Sequence, residues 1–498
     1  MAKIDTGLTR RAAARPSSTL APRPCAGRLP RRAWGRAAVA TIAVVSAGGI
    51  AAAVQPGASA STSRVRTPAT GAHAAAAGGE WTTYGGSFTR DSVQTASPSL
   101  RPLRARWLSP ILDDAVYGEP LIFGHEVFVA TEADTVYALA ASSGRLLWSR
   151  HLGTPVPASA LPCGDISPTV GITSTMVLDP ATGKLFASAA TDEGGAVHHV
   201  LVALQPSTGA ILWQRDLDRP GWVAAAQLQR PALALTDGRV VVGFGGNYGD
   251  CAQYHGYVMS VPETGAGPTA VFQVPTAHEG AVWAPAGLSV DAAGDVFAVT
   301  GNGSSTSRFD GGDAVFSLSP TMREVSFFAP SNWAQDNGDD GDLGSGPATL
   351  LPGGRVFVVG KEQTGYLLDA DRLGGIGGQL ASANVCFSIG GDAYLAPFVY
   401  VNCPNGSLTA VLAGTRSLRV AWTAPGGVDG SPTVAGGLVW VVSGDQLSGL
   451  APRSGRAVVS HASVPVVHYA APAAGEGLLV VGGTDRVEAF EGPSGYRP

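Results

Sequence analysis

Short apolar runs, each broken by a glycine turn and answered by a second β-branched run, recur along most of this chain. Leu121-Ile122-Phe123-Gly124 leads to Val127-Phe128-Val129-Ala130. Ala232-Leu233-Ala234-Leu235 leads through Asp237-Gly238 to Val240-Val241-Val242. The same pattern starts at Pro285, Pro347, Ser431 and Ala471, and two looser copies begin near Gly171 and Asp392. Runs this short and this rich in Val read as antiparallel hairpins rather than helices. The eight starts lie roughly 40–60 residues apart, the spacing of four-stranded propeller blades.

A longer unit recurs within this pattern. Residues 137–148 and 202–213 share Ala-Leu-x-x-Ser-x-Gly-x-aliphatic-Leu-Trp, and residues 449–459 carry a degraded copy. One such strand–turn–strand unit cannot bury its apolar face alone, so repetition implies an array. The last copy ends at Phe490, too early for a fourth strand, while Arg104-Ala105-Arg106-Trp107-Leu108 is a strand without a blade. Joining the two closes a ring and leaves only short, protected edges. The predicted fold is all-β: an eight-bladed β-propeller of four-stranded blades over residues 80–492, closed by an N-terminal strand, with a tail at 493–498.

Composition agrees. The chain has 67 Gly, 35 Pro and 14% charged residues, a turn-rich balance that disfavours long helices. Charge is divided unevenly. Residues 1–36 hold nine Lys/Arg and one Asp, a net of +8; the total of −5 leaves −13 for the rest. An apolar run at 37–54 and a small-residue Ala58-Ser59-Ala60 follow, and Arg31-Arg32-Ala33-Trp34 hints at a twin-arginine signal. Residues 1–60 are read as a targeting segment, cleaved on export, with an uncleaved membrane anchor as the rival. Both place the body outside the cytoplasm and confine membrane contact to this segment. Residues 61–79 form an Ala/Ser/Thr/Gly linker. The acidic body argues against nucleic acid as a partner.

The repeat frame resembles that of the quinoprotein (PQQ-like) family, roughly Ala-Leu-Asp-x-x-Thr-Gly-Lys-x-x-Trp, in which Trp docks between blades. Trp148 and Trp213 match, Trp422 matches in part, and Trp81-Thr82-Thr83-Tyr84-Gly85-Gly86 resembles the family's usual start. The resemblance covers about residues 81–492. It implies the fold but not the activity, because the family includes alcohol and sugar dehydrogenases and a scaffold lipoprotein of outer-membrane barrel assembly.

In such blades the loops between second and third strands share a face with the inter-blade connections, and that face usually carries the ligand site. Cys163, Cys251, Cys386 and Cys403 form an even set in an exported chain. Placing both members of a pair on this face predicts Cys163–Cys251 and Cys386–Cys403. Ligand-binding candidates on it are Arg230, Asp250, Asn302, Lys361 and Asp392. Lys361 is one of only three lysines and lies beside Glu362. Asp336, Asp340 and Asp342 are the candidate calcium ligands, hard oxygens among glycines; without an EF-hand frame, a solvated acidic loop competes with that reading. The family's dehydrogenases hold calcium with a Glu, an Asn and an Asp. The resemblance would give those roles to Glu119 or Glu279, Asn302 and Asp313, although Asn302-Gly303 is also a simple turn. His255, His278 and His468 stand alone in sequence and read as structural.

No haem motif, no adjacent Cys-Cys pair and no Ser-His-Asp constellation is present. The expected function is an exported, non-enzymatic binding or scaffold module for a protein, cell-envelope or small-molecule ligand, with no cofactor assigned. The alternative is a PQQ- and calcium-dependent alcohol or sugar dehydrogenase.

Overall fold

The computed structural model describes residues 79–404, 406–425 and 430–496. The expected targeting segment 1–60, its apolar run and the linker up to residue 78 lie outside the described residues. Among the described residues no helix is long and apolar enough to cross a membrane.

Eight antiparallel blades form the propeller. Blade 1 runs outward as Leu121–Phe123, Glu126–Ala130, Thr135–Ala140 and Leu146–His151. The inner strands of blades 2 to 8 are Val177–Asp179, Ala234–Thr236, Ser289–Val290, Thr349–Leu351, Asp392–Leu395, Thr433–Ala435 and Ala473–Gly475. Blade 8 takes its outer strand from the other end of the body, Arg104–Leu108 pairing antiparallel with Val487–Glu491. The closure expected from the spare strand is therefore present, as are the blade count and the four-stranded blades.

The Trp of the repeat and the Gly of the repeat meet across neighbouring blades. Trp148 of blade 1 donates its indole N–H to Pro206 O (2.7 Å) in blade 2 and lies against Gly209. Trp213 repeats this with Glu263 O (3.1 Å) and Gly265, Trp422 with Pro452 O (3.1 Å) and Gly455, and Trp107 with Ala141 O (2.7 Å) and Gly144. Gly209 has φ +67°, and a Cβ there would sit 2.8 Å from Cζ3 of Trp148. Only glycine meets both conditions, a left-handed backbone and a tryptophan face in contact. Apolar faces of adjacent blades fill the remaining space, as where Phe128 and Leu178 share one cluster.

The segment that enters the body at Gly79 was unforeseen. It circles one end of the central channel and bonds every blade in turn. Gly79 O accepts from Glu476 N (2.7 Å) in blade 8, Trp81 pairs with Ile122 in blade 1, and Thr82 O accepts from Leu178 N (2.8 Å) in blade 2. Phe88 O, Thr89 O, Asp91 O and Ser92 O then accept from Val290, Leu350, Tyr394 and Val434, in blades 4 to 7. Blade 3 is reached by Arg90, whose Nη2 donates to Leu233 O (2.9 Å). Arg90 is fully buried, and its other donors go to Leu288 O, Thr83 Oγ1 and Tyr84 O, each at 2.8 Å. These contacts floor the channel at the end away from the inter-blade connections.

Both expected disulfides are present: Cys163–Cys251 and Cys386–Cys403, with Cα separations of 6.0 and 5.9 Å.

Candidate functional site

Each inter-blade connection delivers its last residues to the open mouth of the channel just before the inner strand begins. Several of these are small, including Gly118, Ser174, Ser345, Gly390 and Ser431. Blade 3 places Arg230 there instead. Arg230 is 6% exposed. Its Nη1 donates to Thr173 O (3.3 Å), while Nη2 is buried with no acceptor among the described residues. The guanidinium lies 5.7 Å from the centre of the Tyr117 ring. Tyr117 meets His468 edge-on at 5.3 Å, and His468 meets Tyr469 edge-on at 4.7 Å. Blades 1, 3 and 8 thus build one aromatic wall around one cation.

The electrostatics leave that cation short of a partner. Burial lowers the Arg230 pKa, and Glu132 is the main influence opposing it. Glu132 is itself buried, accepts from Gly171 N (2.7 Å) and Thr173 Oγ1 (3.0 Å), and is pushed up to about 7 by burial. It is therefore only partly ionised near neutrality. Glu119, below, is pushed up to about 8 by burial, with Gly85 N donating to its Oε2 (2.7 Å). Burial lowers the His468 pKa as well, and Arg230 adds to that. The pocket offers a guanidinium N–H, carboxyls that retain protons, and tyrosine faces. That set suits an anion; it contains no activated nucleophile.

A second constellation forms on blades 4 and 5. Lys361 Nζ lies 2.9 Å from Asp342 Oδ2 and 3.0 Å from Asp340 Oδ1, and 5.5 Å from the centre of the Trp283 ring. Burial works against this ammonium, but Asp342 and Asp340 outweigh it and hold the pKa above its ordinary value. Asn302 donates from Nδ2 to Asp340 Oδ1 (2.9 Å) and from its backbone to Asp342 Oδ1 (3.2 Å). Asp313 accepts from Leu343 N (3.0 Å) and is pushed up to about 8 by burial and by Asp342.

The structure therefore brings Asn302 and Lys361 together, with Asp340 and Asp342, and places Arg230 in the mouth. Asp336 sits in the short helix Trp333–Asp339 and accepts from Asn332 Nδ2 (2.8 Å). Asp392 starts the inner strand of blade 6, where Thr349 Oγ1 donates to it at 3.4 Å and burial pushes it up to about 8. Asp250 is exposed on the blade 3 loop beside Cys251. His278 pairs with Glu279 (3.1 Å), and His255 bridges Glu279 through the backbone. Among the described residues, one His/Asp/Glu trio has ligand atoms within 4.8 Å of one another: His198, Asp216 and Asp218 on blade 2.

Sequence reading missed Tyr117, Glu132 and Tyr469 as parts of the mouth. A signal for two of them exists: Tyr117 and Tyr469 each stand three residues before the proline that opens an inner strand, Pro120 and Pro472.

Residues 103–315 match the family model described as outer membrane protein assembly factor BamB. No curated protein matches the chain significantly. The quinohemoprotein alcohol dehydrogenase from Comamonas testosteroni is similar over 85% of this chain and 82% of its own, at 15% identity and a TM-score of 0.63. Europium-containing methanol dehydrogenase is similar over 83% and 98%, at 14% identity and 0.61. BamB from Moraxella catarrhalis is similar over 80% and 99%, at 14% identity and 0.53. Identities this low establish fold and leave activity open. The Trp-docked repeat, the eight blades and the family model matched over residues 103–315 together give this chain the PQQ-repeat β-propeller fold that these structures share.

Proposed function

We propose that this chain is an extracytoplasmic binding module that captures an acidic ligand at the channel mouth, with Arg230 as its anchor. The observation that carries the reading is the unpaired Nη2 of a guanidinium only 6% exposed. A buried charge without a counter-charge costs several kcal/mol, about as much as breaking a buried pair (~3–5 kcal/mol). Thr173 O, the Tyr117 ring and Glu132 offset part of that cost, and an anionic ligand at Nη2 offsets the rest. Tyr117 and Tyr469 add flat surfaces against which the ligand's carbon skeleton packs. The two disulfides, and the targeting pattern at the N-terminus, support an oxidising compartment outside the cytoplasm.

The dehydrogenase reading requires calcium and a quinone. The carboxylates here suit calcium poorly. Asp340 and Asp342 already hold the Lys361 ammonium, which stands where a cation would bind, and Glu119 is capped by Gly85 N–H on the channel floor. We assign no redox step to these residues.

The test is calorimetric titration of the purified body with di- and tricarboxylates and with PQQ, with and without Ca²⁺, alongside Arg230→Gln. The expected result is carboxylate binding by the wild type in at least one of two states, oxidised or reduced with dithiothreitol, and none by R230Q in either, with R230Q melting higher in the ligand-free state. Equal binding by R230Q sinks the proposal. PQQ binding that brings dye reduction with alcohols or sugars replaces it with the dehydrogenase reading.

A further inference from the structure

Between blades 1 and 2 the connection makes an excursion of its own. Val156–Pro157 pairs with Thr169–Val170, so residues 158–168 form the tip of a hairpin on the mouth face. Its base is anchored in an apolar cluster. Val156, Ile166 and Val170 pack with Ala190 and Leu228, and the partly buried Tyr117 joins them. The hairpin therefore lies directly on the ring that faces Arg230.

The tip is held differently. Its hydrogen bonds Ala158 N to Pro168 O and Leu161 N to Ala158 O stay within the hairpin. Outward polar links among the described residues run through two residues only. Cys163 is joined to Cys251 in the blade 3 loop, with Cys251 N donating to Cys163 Sγ (3.4 Å). Asp165 pairs loosely with His468 at 3.8 Å, on the connection ahead of blade 8. The tip thus reaches from blade 3 to blade 8 over the side of the mouth that holds Arg230, Tyr117 and Tyr469. Ile166 and Leu161 of the tip also pack in the apolar cluster, and one covalent bond and one weak ion pair carry its remaining attachments.

We infer that hairpin 156–170 is a lid over the Arg230 pocket, clasped by the Cys163–Cys251 disulfide, and that reducing this bond opens the pocket. This regulatory role rests on the reading of Arg230 as a ligand anchor. Access explains the need for a clasp: Nη2 is buried, so nothing reaches it until a cover moves. The clasp is open to attack, because Cys251 is exposed and Cys163 half-buried. The other disulfide is shielded, Cys403 being 3% exposed. The step is a two-electron thiol–disulfide exchange. A thiolate of a dithiol attacks one sulfur of the clasp, the other sulfur leaves and takes a proton, and the second thiol of the reagent resolves the mixed disulfide. Cys163 and Cys251 end as thiols and the reagent as a cyclic disulfide.

Arginine chemistry tests the lid without a known ligand. The full chain, oxidised or treated with dithiothreitol under conditions that leave Cys386–Cys403 intact, is exposed to phenylglyoxal, and adducts are mapped by peptide mass. Arg230 should react at least tenfold faster after reduction, while the exposed Arg416 reacts at one rate throughout. A Cys163→Ser/Cys251→Ser double variant should behave as the reduced protein. Arg230 reactivity that is the same in both redox states, whether high or low, overturns the lid. If the double variant fails to fold, reduced wild type with an unchanged circular dichroism spectrum decides alone. The reagent reads the guanidinium itself, so a lid result stands even where no carboxylate binds, and carboxylate binding stands even where the lid fails.

Discussion

Replacing Gly209 by alanine isolates the contact that locks one blade to the next. Gly209 has φ +67°, so any L-residue there carries a left-handed penalty of about 1 kcal/mol. The new Cβ would also sit 2.8 and 2.9 Å from Cζ3 and Cδ2 of Trp148. Relief requires the indole to move, which breaks its 2.7 Å hydrogen bond to Pro206 O, worth about 1 kcal/mol. Overpacking at a filled contact adds about 1–3 kcal/mol. The expected loss is about 3–5 kcal/mol. Gly183 supplies the control within the same blade. Its φ is +62°, yet a Cβ there meets nothing within 4 Å, so Gly183→Ala should lose only the backbone contribution, about 1 kcal/mol. Urea unfolding followed by tryptophan fluorescence measures both. If the two variants differ by less than about 0.5 kcal/mol, Trp148 is not docked as described and the pairing of Gly with Trp across blades is wrong.

Asp134 is fully buried and its carboxyl is pushed up to about 9 by burial, then by Glu132 and Asp113, from an ordinary 3.8. The folded chain keeps this proton where the unfolded chain has lost it, so its contribution falls as pH rises between those values, by about 1.4 kcal/mol per unit. Asp134→Asn should flatten the decline of the melting temperature from pH 5 to 8; an unchanged or steeper slope refutes this. Lys361→Met should destabilise by about 3 kcal/mol because Asp342 stays buried without its cation, whereas Asp340→Asn, at an exposed carboxylate, should change stability by less than about 1 kcal/mol in the same melts. Removing Cys386–Cys403 by double serine substitution should lower unfolding free energy by about 3 kcal/mol, given the separation of 17 residues.

The ring was legible because its information is local and repeated. The Gly turns and β-branched pairs mark blades one by one, and the orphan strand Arg104–Leu108 declares its own partner by default. The disulfides followed from blade positions. The site was legible only where chemistry is rare in this chain. Arg230 and Lys361 drew attention as isolated cations, but nothing in sequence indicated that Asp340 and Asp342 would both settle on Lys361. Tyr117 and Tyr469 meet through His468 only after blade 8 has closed beside blade 1, a contact set by the ring and invisible to local pattern. The clearest case is Arg90: its four hydrogen bonds go to neutral oxygens, including carbonyls of two distant blades, and no motif announces them.

The segment from Gly79 to Ser92 also constrains how the body is assembled. Its first and last contacts, Gly79 with Glu476 and Ser92 with Val434, join the earliest residues of the body to the latest. A partial chain of six blades has neither partner, so its inner strands present free N–H and C=O groups to an unfloored channel. Such high sequence separation makes closure slow and late. Folding is thereby tied to a finished polypeptide, and a prematurely terminated chain is marked by an open channel, exposed to proteases and unable to persist as a stable fragment.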